Sequence, residues 1–180
     1  MGTIQRSRMI SALAAGILVC ILLVGCGTAA QPAVQSLPTL SPNEMSDLEI
    51  VTGQLVFVPA YSEIFYGDAS QTLGLTTTLA IHNTDLTHPI IVKSVRYYDT
   101  DGALMREYIE QPVQLQPMGT TGFVIEANDT SAGWGANFLV EWGAEQPVHE
   151  PVIEAVMVSL RGVEGVSFIS PGRVVSEQRP

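Results

Sequence analysis

The sequence predicts an all-β protein, an antiparallel β-sandwich with an immunoglobulin-like outline and about seven to nine strands. Short segments rich in β-branched and aromatic residues alternate between apolar and polar positions, as strands with one buried face do. Turn residues separate these segments at intervals of about eight to twelve residues. Beyond residue 47, no segment has the apolar spacing of about 3.6 residues that an amphipathic helix requires.

Each strand is predicted from its pattern and from the residues that end it. The clearest is 73–81, where Leu and Ile side chains and Thr77 occupy every second position. Asp101-Gly102 predicts a tight hairpin after the strand 90–98. Alternation places Trp142 in the core, and it places Tyr97 and Tyr98 on opposite faces of their strand. The predicted strands, in chain order, are 54–59, 73–81, 90–98, 103–109, 113–115, 122–126, 137–143, 152–160 and 167–169.

Composition excludes several classes of function. The 180 residues contain 18 acids and 8 bases, for a formal charge of −10, which argues against binding to nucleic acid. Two cysteines and three histidines are too few for a disulfide scaffold or a Cys/His-rich metal site, and no cofactor is expected.

The N-terminus has the pattern of a bacterial lipoprotein signal. Arg6 and Arg8 precede an uncharged apolar run over 9–25, which is short for a transmembrane helix. The run ends in Leu23–Cys26 (Leu-Val-Gly-Cys), which resembles a lipobox. The resemblance implies cleavage before Cys26, acylation of its sulfur, and attachment to the cell membrane or outer membrane on the extracytoplasmic side. The alternative is an uncleaved membrane anchor.

These features predict three segments. They are a signal peptide (1–25), a lipidated cysteine with a flexible Pro-rich tether (26–47), and a single β-sandwich domain (48–180). Loss of the two signal arginines leaves six bases against eighteen acids, a formal charge of −12. Anionic headgroups repel such a surface, so the lipid is expected to provide the attachment to the membrane.

Five segments of the domain form a pattern that is shared with a known family. They are Phe57–Gly67, Leu79–Asp85, Val95–Gly102, Gly133–Trp142 and Glu154–Met157. Together they resemble a bacterial family of unknown function, the domain-of-unknown-function family three-one-two-four. The resemblance implies a small secreted or lipid-anchored domain, and it brings no activity, cofactor or catalytic residue.

The loop 128–137 is the most site-like element, because it combines flexible glycines, an aromatic ring and polar side chains. Its candidate ligand-binding residues are Asn128, Asp129, Trp134 and Asn137. In the alternative interpretation, Trp134 folds back to close the end of the sandwich. Two further candidates, Tyr61 and Tyr66, could line a groove or could belong to the core and its rim.

No enzymatic activity is predicted, because the sequence lacks a nucleophile elbow, a phosphate loop and a free catalytic cysteine. We expect a lipid-anchored binding or accessory domain of the cell envelope that contacts another envelope protein. The alternative hypothesis is a ligand-binding module, either for carbohydrate or for calcium held by Asp99, Asp101 and Asp129. A third hypothesis is an unrecognised hydrolase. The Asp-Gly hairpin accounts for the first two of these acids without a metal.

Replacing Cys26 by Ser should abolish lipid labelling and leave the precursor uncleaved or released from the membrane, because the cysteine sulfur is the atom acylated. Labelling with a palmitate analogue, followed by membrane fractionation, measures both effects. The matched control is Cys20→Ser, which removes a sulfur from the signal segment and should leave labelling unchanged. Continued labelling of the Cys26→Ser protein would contradict the lipobox assignment.

Overall fold

A computed structural model describes residues 38–161 and 164–178 of the chain. These residues belong to one compact unit, Ser36–Pro180. A second unit, Met1–Gln35, lies outside the described residues, as do the predicted signal peptide and Cys26.

Twelve strands and one short helix, α1 (Pro42–Ser46), occur in the described residues. The strands are β1 (Thr52–Pro59), β2 (Glu63–Tyr66), β3 (Gln71–Gly74), β4 (Thr76–His82), β5 (Ile90–Tyr98), β6 (Leu104–Glu107), β7 (Val113–Leu115), β8 (Thr120–Ile125), β9 (Asn137–Ala144), β10 (Val152–Arg161), β11 (Glu164–Pro171) and β12 (Arg173–Gln178).

The strands form two main antiparallel sheets and a separate hairpin. The larger sheet has the order β12-β1-β9-β5-β6, and β7 pairs with the other end of β5. The smaller sheet has the order β11-β10-β4-β8, and β2 pairs with β3. This confirms the predicted all-β, sandwich-like architecture, although the described strands exceed the seven to nine expected.

Alternating side chains build the core between the two sheets. Phe138, Val140 and Trp142 of β9 face Leu79 and Ile81 of β4 as buried residues of one hydrophobic cluster, while the intervening residues are more exposed. The predicted core position of Trp142 is confirmed by its 2% exposure. Removal of such side chains from water is the main favourable contribution to folding.

The predicted strand 73–81 is wrong as a single element, because it divides at Leu75 into β3 and β4. The backbone N–H of Leu75 donates to the carbonyl of Ser62 at 2.9 Å. This hydrogen bond lies at the end of the β2–β3 hairpin that is remote from its turn, beyond the pairing of Leu73 with Ile64. β2 and β12 correspond to no predicted strand.

Part of the segment predicted as a flexible tether, 26–47, is described by the structure, namely residues 38–47. Leu40 donates its N–H to the carbonyl of Pro112 at 2.8 Å, and Gln114 donates to that of Pro38 at 3.0 Å, so this segment pairs alongside β7. α1 follows, with a capping box in which the Ser41 N–H donates to Glu44 Oε2 at 2.7 Å.

Two buried polar side chains, Asn83 and Asp85, join the loops at one end of the sandwich. Asn83 Nδ2 donates to the carbonyl oxygens of His88, Leu115 and Gln116 at 2.9, 3.1 and 3.0 Å. The Asn83 side-chain oxygen accepts the N–H of Asp85 at 3.0 Å. One amide therefore links the β4–β5 loop to the turn that leads into β8.

The Asp85 carboxylate extends this link to a third loop. It accepts the N–H groups of Thr87 (2.9 Å), His149 (3.1 Å) and His88 (2.8 Å), and His149 belongs to the β9–β10 loop. Backbone hydrogen bonds from Thr87 and His149 hold the pKa of Asp85 well below its usual range, with a smaller contribution from His88. We call Asn83 and Asp85 the polar pair.

Among the described residues, no helix has the length and apolar character that crossing a membrane would need.

Asn83→Ala should lower the free energy of unfolding by about 2 to 3 kcal/mol, because it leaves buried carbonyl groups without their donor. Chemical denaturation measures the loss. The matched control is Asn128→Ala at an exposed position, which should change the free energy of unfolding by no more than about 0.5 kcal/mol. Equal effects at the two positions would show that the amide network does not stabilise the fold.

Asp85 should make stability depend on pH in the acid range. A lowered pKa means that its contribution is fully present above the unfolded carboxyl pKa of about 3.9, and that it is lost as the pH falls below that value. The melting temperature of wild type should exceed that of Asp85→Asn at pH 5, and the difference should shrink towards pH 2.5. A difference that does not vary with pH would contradict the assignment.

Candidate functional site

Three connections meet at the opposite end of the sandwich: β1–β2, β5–β6 and β8–β9. We call them the loop cluster. The Ser62 hydroxyl donates to the carbonyl of Gly133 at 2.9 Å, and the Thr100 N–H donates to that of Ala132 at 3.0 Å. These bonds hold the β8–β9 loop against its two neighbours.

Thr100 fixes the part of this loop that carries Trp134. Its hydroxyl donates to the carbonyl of Ala132 at 3.0 Å and accepts the N–H of Gly135 at 2.9 Å. Gly133 has a φ of +75°, and a Cβ there would lie 2.7 Å from Thr100 Oγ1. Glycine is therefore required beside Trp134 both for conformation and for space.

Packed aromatic rings support the same end of the core. The ring centroid of Tyr97 lies 4.9 Å from that of Phe138, and the Tyr108 centroid lies 5.6 Å from it. Burial raises the pKa of Tyr97 to about 12, so its phenol stays neutral at physiological pH. Tyr97 is buried and Tyr98 half-buried, which confirms the prediction that they occupy opposite faces.

Trp134 does not fold into the core, because 52% of its surface remains exposed. Its ring lies 6.1 Å from that of Phe65, centroid to centroid, at an interplanar angle of 51°. Phe65 is 50% exposed and stands on β2. We call these two rings the aromatic patch.

The other predicted aromatic residues lie apart from this patch. Tyr61 is half-buried and packs 6.1 Å from Phe168, at the margin of the core. Tyr66 is exposed, on the face of β2 opposite to Phe65, and its hydroxyl bonds the side-chain oxygen of Gln71.

The predicted polar residues of the loop do not converge on one point. Asn128 is exposed, whereas Asn137 is half-buried and begins β9 opposite Pro59. Asp129 Oδ2 lies 3.6 Å from a guanidinium nitrogen of Arg106, and its Oδ1 accepts the hydroxyl of Ser131 at 2.6 Å. Asp129 is therefore engaged within the protein.

The acids considered for calcium also serve the local fold. Asp99 Oδ1 accepts the N–H groups of Asp101 (3.0 Å) and Ala103 (2.7 Å), and Gly102 has a φ of +83°. This is the predicted Asp-Gly hairpin. Across the residues that the structure describes, no group of three or more His, Cys, Asp or Glu side chains is placed to hold a metal ion.

Sequence reasoning missed one residue of the site and one contact at the other end of the sandwich. Phe65 is not predicted as a site residue, because its strand, β2, is short and half exposed. The aromatic run from Tyr61 to Tyr66 nevertheless indicates this segment. The structure also brings His88 Nδ1 to 3.3 Å from Asp85 Oδ1, within a segment that the sequence indicates only as a turn.

Comparisons with known proteins identify a family but no activity. None of the curated proteins matches the chain. The crystal structure of Thermotoga maritima 1070 aligns over 67% of this chain and 92% of that chain, with 13% identity and a TM-score of 0.40. Residues 53–175 match the family described as protein of unknown function (DUF3124), and because this span exceeds half of the chain, the protein belongs to the DUF3124 family.

Proposed function

We propose that this protein is a binding domain of the bacterial cell envelope, attached to the membrane by lipid on Cys26, that contacts another envelope protein through the aromatic patch. The aromatic patch is the observation that carries this proposal. No catalytic role is assigned to any residue.

The aromatic patch has the physical properties of an interface anchor. Trp134 and Phe65 each leave about half of their surface in water, and burying that exposed half stabilises a complex by about 0.8 to 1.5 kcal/mol per ring. Aromatic anchors of this kind dominate the binding energy of many protein interfaces.

The loop is also ordered before any partner arrives. Thr100 bonds both Ala132 and Gly135, so the backbone on each side of Trp134 has a fixed position. Binding then costs little additional conformational entropy, because the ring is presented by a loop already tied to the sheets.

The N-terminal pattern supports the envelope location. A basic start, a short apolar run and a small residue before Cys26 together favour lipidation over a transmembrane anchor. A protein held at a membrane surface meets its partners at high local concentration, so a small patch is sufficient for a useful interaction.

A sugar ring stacked on Trp134 is the alternative, and a single set of measurements separates the two. A ligand-induced change in the fluorescence of the full-length protein in detergent reports on Trp134, since Trp142 is buried away from any ligand. A shift in emission with cell-wall oligosaccharides that Trp134→Ala removes would favour the sugar and overturn the protein-partner proposal.

A photo-crosslinking residue placed at position 134 in living cells should yield one discrete protein adduct. Phe65→Ala should reduce the yield of this adduct at least about tenfold, because removing an anchor that contributes about 1.4 kcal/mol weakens binding by that factor. The matched control places the same residue at Leu160, an apolar side chain that is 82% exposed and distant in sequence from the loop cluster. A ladder of adducts common to both positions would contradict the proposal.

A further inference from the structure

The outer face of the larger sheet carries a second concave feature. It is a groove of about 280 Å³ that crosses four strands, β5, β9, β1 and β12. No residue of the loop cluster lines it, so its role is separate from that of the aromatic patch. The lining residues used below are Gly53, Lys93, Arg96, Glu141 and Gln178.

One lining residue, Gly53 of β1, pairs with a second glycine on β9. Gly53 lies opposite Gly143, and a Cβ on Gly53 would stand 2.5 Å from the carbonyl oxygen of Trp142. A Cβ on Gly143 would stand 3.1 Å from Lys93 Cε. The absence of a side chain at Gly143 lets Ile50 and the stem of Lys93 pack closely against the sheet, since a Cβ there would also stand 2.7 Å from Ile50 Cγ2.

The groove brings together two basic side chains, Lys93 and Arg96, with two carboxylates, Glu141 and Glu177, in a strongly acidic chain. Lys93 is the single lysine in the sequence, and Arg96 follows it on β5. Lys93 Nζ lies 3.6 Å from Glu141 Oε1, and the two side chains are 22% and 42% exposed. This contact holds the ammonium group over the groove while leaving it accessible from solvent.

Two donors on this face have unused hydrogen-bonding capacity. Within the described part of the chain, Arg96 Nε and Ser94 Oγ are buried atoms with no hydrogen-bond partner. Both residues alternate with the buried Val95 and so belong to the outer face of β5. A buried donor without an acceptor is unfavourable, so a hydrogen-bond acceptor placed beside the Arg96 guanidinium group would be stabilised there.

We propose that this groove binds a small carboxylate-bearing ligand, with Arg96 and Lys93 as the residues that contact the carboxylate. Guanidinium groups recognise carboxylates through paired, charge-assisted hydrogen bonds, and an ammonium adds a point charge. The volume lies just below the range of about 300 to 1,000 Å³ that is usual for ligand pockets, which suits a small molecule. Glu141 and Glu177, which both line the groove, oppose an anion and therefore limit its affinity.

Titration calorimetry of the full-length protein in detergent with malonate, at low salt, tests the proposal. Wild type should bind with a dissociation constant below about 10 mM, and Arg96→Gln and Lys93→Gln should each weaken binding at least about tenfold. Arg96→Lys should retain part of the affinity. Thermal melts establish that each variant is folded.

Two further variants make the result specific. Arg173→Gln removes the same charge from β12 outside the groove and should leave malonate binding unchanged. Glu141→Gln removes the opposing carboxylate and should strengthen binding about threefold to tenfold. Any one of four results would overturn the proposal. Two concern the ligand: no heat of binding with malonate, or tighter binding of inorganic phosphate than of malonate. The other two concern the variants: a loss of malonate affinity in Arg173→Gln equal to that in Arg96→Gln, or weaker malonate binding in Glu141→Gln.

Discussion

The hydrogen bonds of Asn83 and Asp85 determine how the chain passes between the two sheets. The loops that they join are β4–β5, β7–β8 and β9–β10, and each of these connections leaves one sheet and enters the other. A loop at such a crossing must bury backbone groups that no strand partner can satisfy. The polar pair supplies these partners, so the relative placement of the sheets at this end depends on two side chains.

The opposite end of the sandwich ties its loops together through one buried residue, Ser62, and one exposed residue, Thr100. Thr100 and Ser62 bond loop carbonyls, as the polar pair does, but the residues between those bonds point outwards. Trp134 and Phe65 therefore remain in water on a backbone that is held in place. One end is specialised for holding the sheets together, and the other presents apolar surface from a rigid support, which is the arrangement that binding loops require.

Much of the fold could be predicted because it is encoded by local alternation. The bounds of β5 agree with the prediction, since nine residues with a β-branched or aromatic majority leave little doubt about their conformation. β12 could not be predicted, because all six of its residues are exposed and no face of it is distinguished by hydropathy. The pairing of residues 38–40 alongside β7 could not be predicted, because Pro-rich composition carries no information about pairing with a distant strand.

The candidate site was predictable only in part, for a related reason. Composition identifies Trp134 and its glycines, yet the choice between exposure and burial depends on Thr100, which lies more than thirty positions earlier. The outer-face groove could not be predicted, because Lys93 and Arg96 belong to β5 whereas Glu141 belongs to β9. Their proximity follows from the register of β5 against β9, including its irregularity between Val92 and Ser94.

The pairing of β1 with β12 ties assembly of the groove to the order of folding. The Gln178 side chain donates to the carbonyl of Ile50, 128 positions earlier, and the groove takes lining residues from both strands. Contacts of such long range form late, because the intervening loop must close before they are made. The groove is thus complete only after this pairing has formed, and any ligand held there would stabilise the pairing and oppose fraying of its edge strand.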